Sequence, residues 1–315
     1  VMVCAELLIR RDAAVVFKGA FELLKQSSIT NYLSRNPNNI PLFLYEKFFY
    51  VLFGSSGLWV MQVLNMLYVN LGAVLLYKLS QKHFNQKTAD LVYLFYVSLI
   101  CYSPYFYSMY TDIPPLPLIA LQLWWSLDLL KENQAGISWK KMFGLGILSG
   151  VTMLIRPTTI IVMIAFWAVL FFRGNWKVFG KIATVTVMTA GFVFAGLNTA
   201  VNHQRVVPIL KEEGLAKGPL LFINLGLTDM GHNQEDMKEG LLAYIDEDKR
   251  SDYNNGLFKK ENVIKEIKRR LKEYGPFGLI GHIYYKQSLT VAEGTLGWLY
   301  RDCLLYTSDA ADEED

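Results

Sequence analysis

Between Leu58 and Val201 the chain is a succession of long apolar runs separated by short charged segments. Runs of that length mark membrane-spanning helices, and the candidates are 58–79, 91–107, 113–130, 142–172 and 182–201. With 52% hydrophobic and only 19% charged residues, the sequence predicts an all-α polytopic membrane protein and not a soluble domain. The net charge of +3 says little about partners, and no nucleic-acid partner is expected. Cys4, Cys101 and Cys303 are scattered, without metal spacing or a disulfide framework.

The positions of the basic residues carry more information than their sum. Lys78, Lys82, His83 and Lys87 close the first run, Lys131, Lys140 and Lys141 follow the third, and Arg173, Lys177 and Lys181 precede the last. The run 142–172 contains Arg156-Pro157 near its middle. Read as two short helices, 142–155 and 158–172, it returns the last basic loop to the side of the other two; read as one helix, it does not. The preference of basic loops for the cytoplasmic side favours the pair. The long loop 10–57, the turn at Asp112, the turn at Arg156 and the segment 202–303 then share the outer face.

The outer loop is too long to be a mere connector. Asp12 precedes a helical pattern with Val16, Phe17, Ala20, Phe21 and Leu24 on one face, which predicts a surface helix over 13–25. Ser27 to Asn39 reads as turn-rich, and Leu42 to Phe53 as a second amphipathic, aromatic segment suited to the bilayer interface. After a transmembrane domain ending at 201, composition becomes charged and Gly-punctuated. Val263, Ile264, Ile267, Leu271 and Tyr274 fall on one face of a helix predicted over 259–274, stopped by Gly275-Pro276. Val1 to Ile9 reads as the last part of a further span. The stretch 304–315 resembles translated sequencing-adapter read-through and is set aside as a non-native tail.

Three charged residues stand out. Asp12 is placed to act as a general base at a membrane surface, or as the N-cap of a helix starting at Ala13. Asp112, between two apolar runs, has a functional role as the default, with helix capping as the alternative. Arg156 offers a guanidinium that can hold a phosphate with two prongs, or one that snorkels to lipid headgroups. No phosphate-cradling glycine loop or dinucleotide fingerprint appears, and no two histidines have zinc-binding spacing. The residues name no cofactor and leave a divalent metal open.

Several pieces together resemble the integral-membrane glycosyltransferases of the C-type fold, the superfamily of protein mannosyltransferases and aminoarabinose transferases, and within it an uncharacterised bacterial branch. They are Asp12-Ala-Ala-Val-Val with its surface helix, Asn36-Pro-Asn-Asn39, Tyr110-Thr-Asp112, Leu154-Ile-Arg-Pro-Thr158, Gly226-Leu227, and Lys286 through Glu293-Gly-Thr295. The resemblance covers most of residues 10–302 and rests on the order of the pieces. It implies a multi-span helical bundle whose long first outer loop carries the catalytic acid, and a donor sugar on a polyprenyl phosphate. It implies Asp12 as base, Asp112 as a second catalytic residue, and Arg156 and Lys286 as donor-phosphate ligands. Asn36, Asn38, Asn39 and Tyr110 become the substrate loop. The acceptor is a lipid or a cell-envelope glycan or protein. Arg10-Arg11 beside Asp12 departs from the family's pattern. The competing expectation is a polytopic transporter or flippase, since broken helices also occur in transporters.

Overall fold

The computed structural model describes residues 11–101, 109–132, 138–211, 214–227 and 260–292. Every regular element among them is helical. They fall into two compact units, 1–210 and 211–315. The remnant 1–9, the tail 304–315, the Glu293-Gly-Thr295 piece and the end of the predicted 91–107 span lie outside the described residues.

The first unit opens with three short helices. α1 (Arg11–Ala20) starts before Ala13, so Asp12 is already helical and does not cap it. It also ends five residues earlier than the apolar pattern suggests. Leu23 N–H bonds the Lys18 carbonyl at 2.8 Å and Glu22 N–H bonds Gly19 at 3.3 Å, with Glu22 left-handed at φ 61°. This is a Schellman stop with Glu in the place usually taken by glycine. The Glu22 carboxylate is held by Lys47 at 2.7 Å. α2 (Gln26–Arg35) replaces the predicted turns: Ile29, Thr30, Leu33 and Ser34 form a buried helical stripe that its Ser, Thr and Asn content conceals.

α3 (Ile40–Phe53) is not amphipathic. Its inner face buries Ile40, Leu42, Phe43 and Glu46, while Phe48, Val51, Leu52 and Phe53 are exposed on the other. It continues through a short 3-10 turn into α4 (Gly57–His83). Val16, Ala20, Leu33, Ile40 and Phe43 from α1–α3 pack with Met61 and Met109 into one buried cluster.

α5 (Gln86–Cys101), α6 (Leu116–Lys131), α7 (Trp139–Ile155), α8 (Ile160–Phe172) and α9 (Trp176–Asn202) complete this unit. The chain reverses at Arg156. There the backbone is extended (φ −146°, ψ 107°), and Pro157 begins a 3-10 turn that leads into α8. Met142 and Leu145 from the start of α7 consequently meet Phe166 and Leu170 from the end of α8, together with Leu129 and Ile182. α7 and α9 approach closely at two glycines. A Cβ at Gly146 would stand 2.6 Å from Thr189 Cβ, and one at Gly150 would stand 2.8 Å from both the Ala190 carbonyl oxygen and Val193 Cβ. α6 is tied to α7 by buried Gln122, whose amide donates to Thr152 Oγ1 at 2.8 Å and Ser149 Oγ at 3.3 Å.

The two ends of this bundle differ in charge. At one, Asp128 receives Lys82 at 2.7 Å, His83 at 2.9 Å and Lys141 at 3.1 Å, while Arg173 donates to the Leu130 carbonyl. The basic loops therefore share one end, and Asp112 and Arg156 lie at the other.

Two helical stretches are long and apolar enough to cross a membrane, Pro37–His83 (47 residues) and Trp176–Asn202 (27 residues). Only 22% and 17% of their apolar windows are buried, which sets them apart from the covered core helix of a soluble protein. α6, with 16 residues, rises about 24 Å and falls short of a hydrocarbon core of roughly 30 Å.

In the second unit α10 (Pro219–Gly226) meets α11 (Lys260–Ala292). As predicted, the helical backbone breaks at Gly275 (φ 60°, ψ 178°), and a second helical arm of α11 resumes after it across a kink. The inner face is rotated from the predicted one, since Leu271 is exposed and Glu266 and Arg270 are buried with Val263. The cause is polar. Arg270, paired with Glu266 at 3.0 Å, reaches the Leu227 carbonyl at 3.4 Å, and Tyr274 Oη donates to the same oxygen at 3.0 Å.

Close packing at Gly150 is testable with Gly191, whose added Cβ would meet nothing within 4 Å, as the control. Both Gly→Ala changes gain helix propensity, but only Gly150→Ala overpacks, at a cost of roughly 1–3 kcal/mol. Thermal unfolding in detergent should show Gly150→Ala less stable than Gly191→Ala. Equal midpoints would mean that α7 and α9 do not touch there.

Candidate functional site

The Arg156 end of the first unit gathers most of the polar residues flagged in the sequence. α6 starts at Leu116 with Pro115 as its N-cap, so Asp112 does not cap it. Asp112 instead pairs with Arg156, Oδ1 to Nη1 at 2.8 Å, and the same nitrogen donates to Thr111 Oγ1 at 3.1 Å. The pair is accessible, with 35% of the Arg156 side chain and 29% of that of Asp112 exposed. Among the described residues, the hydrogen bonds of the Arg156 side chain are those made by Nη1. Burial holds the Asp112 carboxyl above the usual aspartate range, although Arg156 pulls it down.

A second polar chain comes from α1, α2 and the turn after them. The Tyr32 hydroxyl hydrogen-bonds the exposed Asp12 carboxylate, and accepts from Asn39 Nδ2 at 2.7 Å. Burial first, and then the Asp12 charge, push the Tyr32 phenol far up, so it stays a neutral donor. Asn39 is itself buried and accepts from Asn38 Nδ2 at 3.2 Å. Asn36 does something else: its side chain donates back to the Tyr32 carbonyl at 3.0 Å and closes the end of α2. Tyr110 links the two halves. Its phenol, pushed up to about 12 by burial first, also feels Asp12, Arg156 and Asp112.

Beside the pair lies an apolar cavity of about 390 Å³, formed by α3, α4, α6 and the end of α7. Leu42, Leu71, Leu118, Leu121 and Ile155 line it, and so does Thr111, the residue that accepts from Arg156. That volume suits a small ligand or one stretch of a longer chain.

Asp12, Asn38, Asn39, Tyr110, Asp112 and Arg156 thus stand at one end of one unit, whereas Lys286 belongs to the second unit. Tyr32 and Thr111 are additional. Thr111 sits inside the flagged Tyr110-Thr-Asp112, and Tyr32 follows from the helical spacing of Ile29 and Leu33. Glu46 was not flagged either: it is wholly buried and neither carboxylate oxygen has a hydrogen-bond partner among the described residues. Among the described residues no group of three or more His, Cys, Asp or Glu could hold a metal ion.

Among the described residues every regular element is helical, and two helical stretches are long and apolar enough to cross a membrane. The chain belongs to the family described as conserved hypothetical integral membrane protein, matched over residues 1–314. No curated protein and no solved structure matches it.

The ion pair has a pH signature. Asp112 takes its proton at a higher pH than an ordinary aspartate, and protonation releases Arg156 from its partner. Sulfate, which stays ionised throughout, should therefore bind more tightly as the pH falls from neutral through that range. Asp112→Asn should bind sulfate tightly at all of these pH values. Titration calorimetry in detergent checks this; a dependence that persists in Asp112→Asn belongs to another group.

Proposed function

We propose that this protein is a multi-pass membrane glycosyltransferase that moves a sugar from a polyprenyl-phosphate donor to an acceptor hydroxyl at the outer face of the cytoplasmic membrane. The observation that carries the reading is the apolar cavity lined in part by Thr111, whose hydroxyl accepts from Arg156. An isoprenoid phosphate has that polarity, an apolar chain joined to an anion. The part-exposed Arg156 suits a phosphate oxygen pair, because a planar guanidinium binds such groups with two parallel hydrogen bonds.

Asp12 supplies the other half. The acceptor hydroxyl gives its proton to the Asp12 carboxylate as its oxygen attacks the anomeric carbon. The bond from that carbon to the phosphate oxygen breaks, and the departing charge meets Arg156. A base on one side and a cation on the other are what such a displacement requires. Tyr32 and Asn39 fix the carboxylate, and Asp112 orients the guanidinium. No nucleotide is needed, because the phosphate linkage already activates the donor. Lys286 joins this scheme on the resemblance alone.

The grouping of the basic loops at one end supports an inside-facing end and an outside-facing site. Cysteines introduced as Ser28→Cys and Lys140→Cys, each in a cysteine-free chain, test that arrangement. In intact cells an impermeant thiol reagent should label the first and not the second. The reverse pattern places the site inside and removes the lipid-linked donor from consideration.

Transfer itself is measured with a radiolabelled polyprenyl-phosphate hexose. Asp12→Asn still accepts from Tyr32 but cannot take a proton, and should lose a factor of roughly 10² to 10⁴ in rate. Asp12→Glu should recover part of it. Arg156→Lys should weaken donor use while keeping the charge. An active Asn variant beside an inactive Glu variant would make Asp12 structural.

A further inference from the structure

Beyond Gly275, α11 changes character. Lys265, Lys268 and Lys272 are exposed on its first half, and Arg269 is tied to Glu266 at 2.6 Å and to Glu273. On the second half the exposed residues are apolar: Phe277 at 88%, Ile280 at 65%, Ile283 at 59% and Tyr284 at 76%. Phe277, Ile280 and Tyr284 follow one another at three and four residues and form one stripe. The face that packs is a different one. His282 is buried, stacks on Tyr274 with ring centroids 4.6 Å apart, and donates from Nε2 to the Gly226 carbonyl at 3.0 Å. α10 therefore uses the His282 side and leaves the aromatic stripe uncovered.

An exposed aromatic and aliphatic stripe marks a lipid or protein contact. Two features select lipid. The adjoining lysines complement anionic headgroups, whereas a second copy would set the same lysines against one another. The stripe is aromatic at its ends, as side chains at a bilayer interface are. A full crossing needs roughly 20 apolar residues, and Lys286, Gln287 and Ser288 interrupt this half too early for that. It suits a helix lying in the interface.

We propose that residues 276–292 lie in the interface of an anionic leaflet, with Phe277, Ile280 and Tyr284 in the acyl region and Lys265, Lys268 and Lys272 on the headgroups. The second unit is then a membrane-surface element in its own right. The Gly275 kink is the joint between its charged and its apolar arm.

Nitroxide labels test this on the whole chain. Phe277→Cys, Ile280→Cys, Tyr284→Cys and Lys268→Cys are made singly in a cysteine-free background. All four sites are exposed, so none disturbs packing. The protein is reconstituted in vesicles of phosphatidylcholine with phosphatidylglycerol, and collisions with oxygen and with a neutral nickel chelate are compared. The oxygen-to-nickel ratio should be several-fold higher at 277, 280 and 284 than at 268. It should drop at those three sites in pure phosphatidylcholine, and equally when Lys265, Lys268 and Lys272 are all replaced by Gln. Nickel access at 277, 280 and 284 in anionic vesicles would falsify the proposal, because the stripe would then face water. Shielding from both reagents, with spin–spin broadening that fades on mixing with unlabelled protein, would assign the stripe to a second copy. A ratio that ignores lipid charge would remove the role of the lysines.

Discussion

The contact between α7 and α9 sets the position of everything at the Arg156 end. Gly146 and Gly150 place the α7 backbone directly on Thr189, Ala190 and Val193, with no side chain between to give way. Protein interiors of this density transmit displacement instead of absorbing it. Arg156 follows α7 immediately, so its height is inherited from that contact. Gln122 carries the same constraint to α6, whose approach turn bears Thr111 and Asp112. The two partners of the ion pair arrive from different helices, yet both helices are fixed at their middles and fixed again at Asp128. The pair can therefore close without ordering a flexible loop.

The outline of this arrangement was legible in the sequence. Arg156-Pro157 interrupts an apolar run with a charge and a missing N–H, and either alone marks a break. The basic segments told which helices end together. The pairing of Asp112 with Arg156 was not legible, although both were flagged, because it depends on the reversal at Pro157 bringing two turns side by side. α2 was missed for a compositional reason. Ser, Thr and Asn favour turns locally, and here tertiary burial of Ile29 and Leu33 overrides that preference. Asp12 was read as a base or a cap; the cap reading fails because the helix begins before it, and its partner is Tyr32. Glu46 escaped notice because one carboxylate within Leu42–Phe53 looked like half of an amphipathic pattern. The break at Gly275-Pro276 was legible from local rules, whereas the second helical arm beyond it, which docks His282 on the end of α10, was not.

The Asp112–Arg156 pair also makes the resting site self-neutralising. An anion that arrives must displace a carboxylate already 2.8 Å from the guanidinium, or share the guanidinium with it. For a small hydrated ion that exchange returns little, since one ionic partner replaces another and its own hydration is lost. A phosphate that brings an apolar tail is in a different position, because burying the tail in the adjoining cavity contributes energy that the ionic exchange does not. The carboxylate thus works as a threshold. On the proposed function, that threshold would disfavour phosphates without a lipid tail and favour those anchored in lipid, so selectivity for the membrane-borne form would follow from the acid beside the arginine.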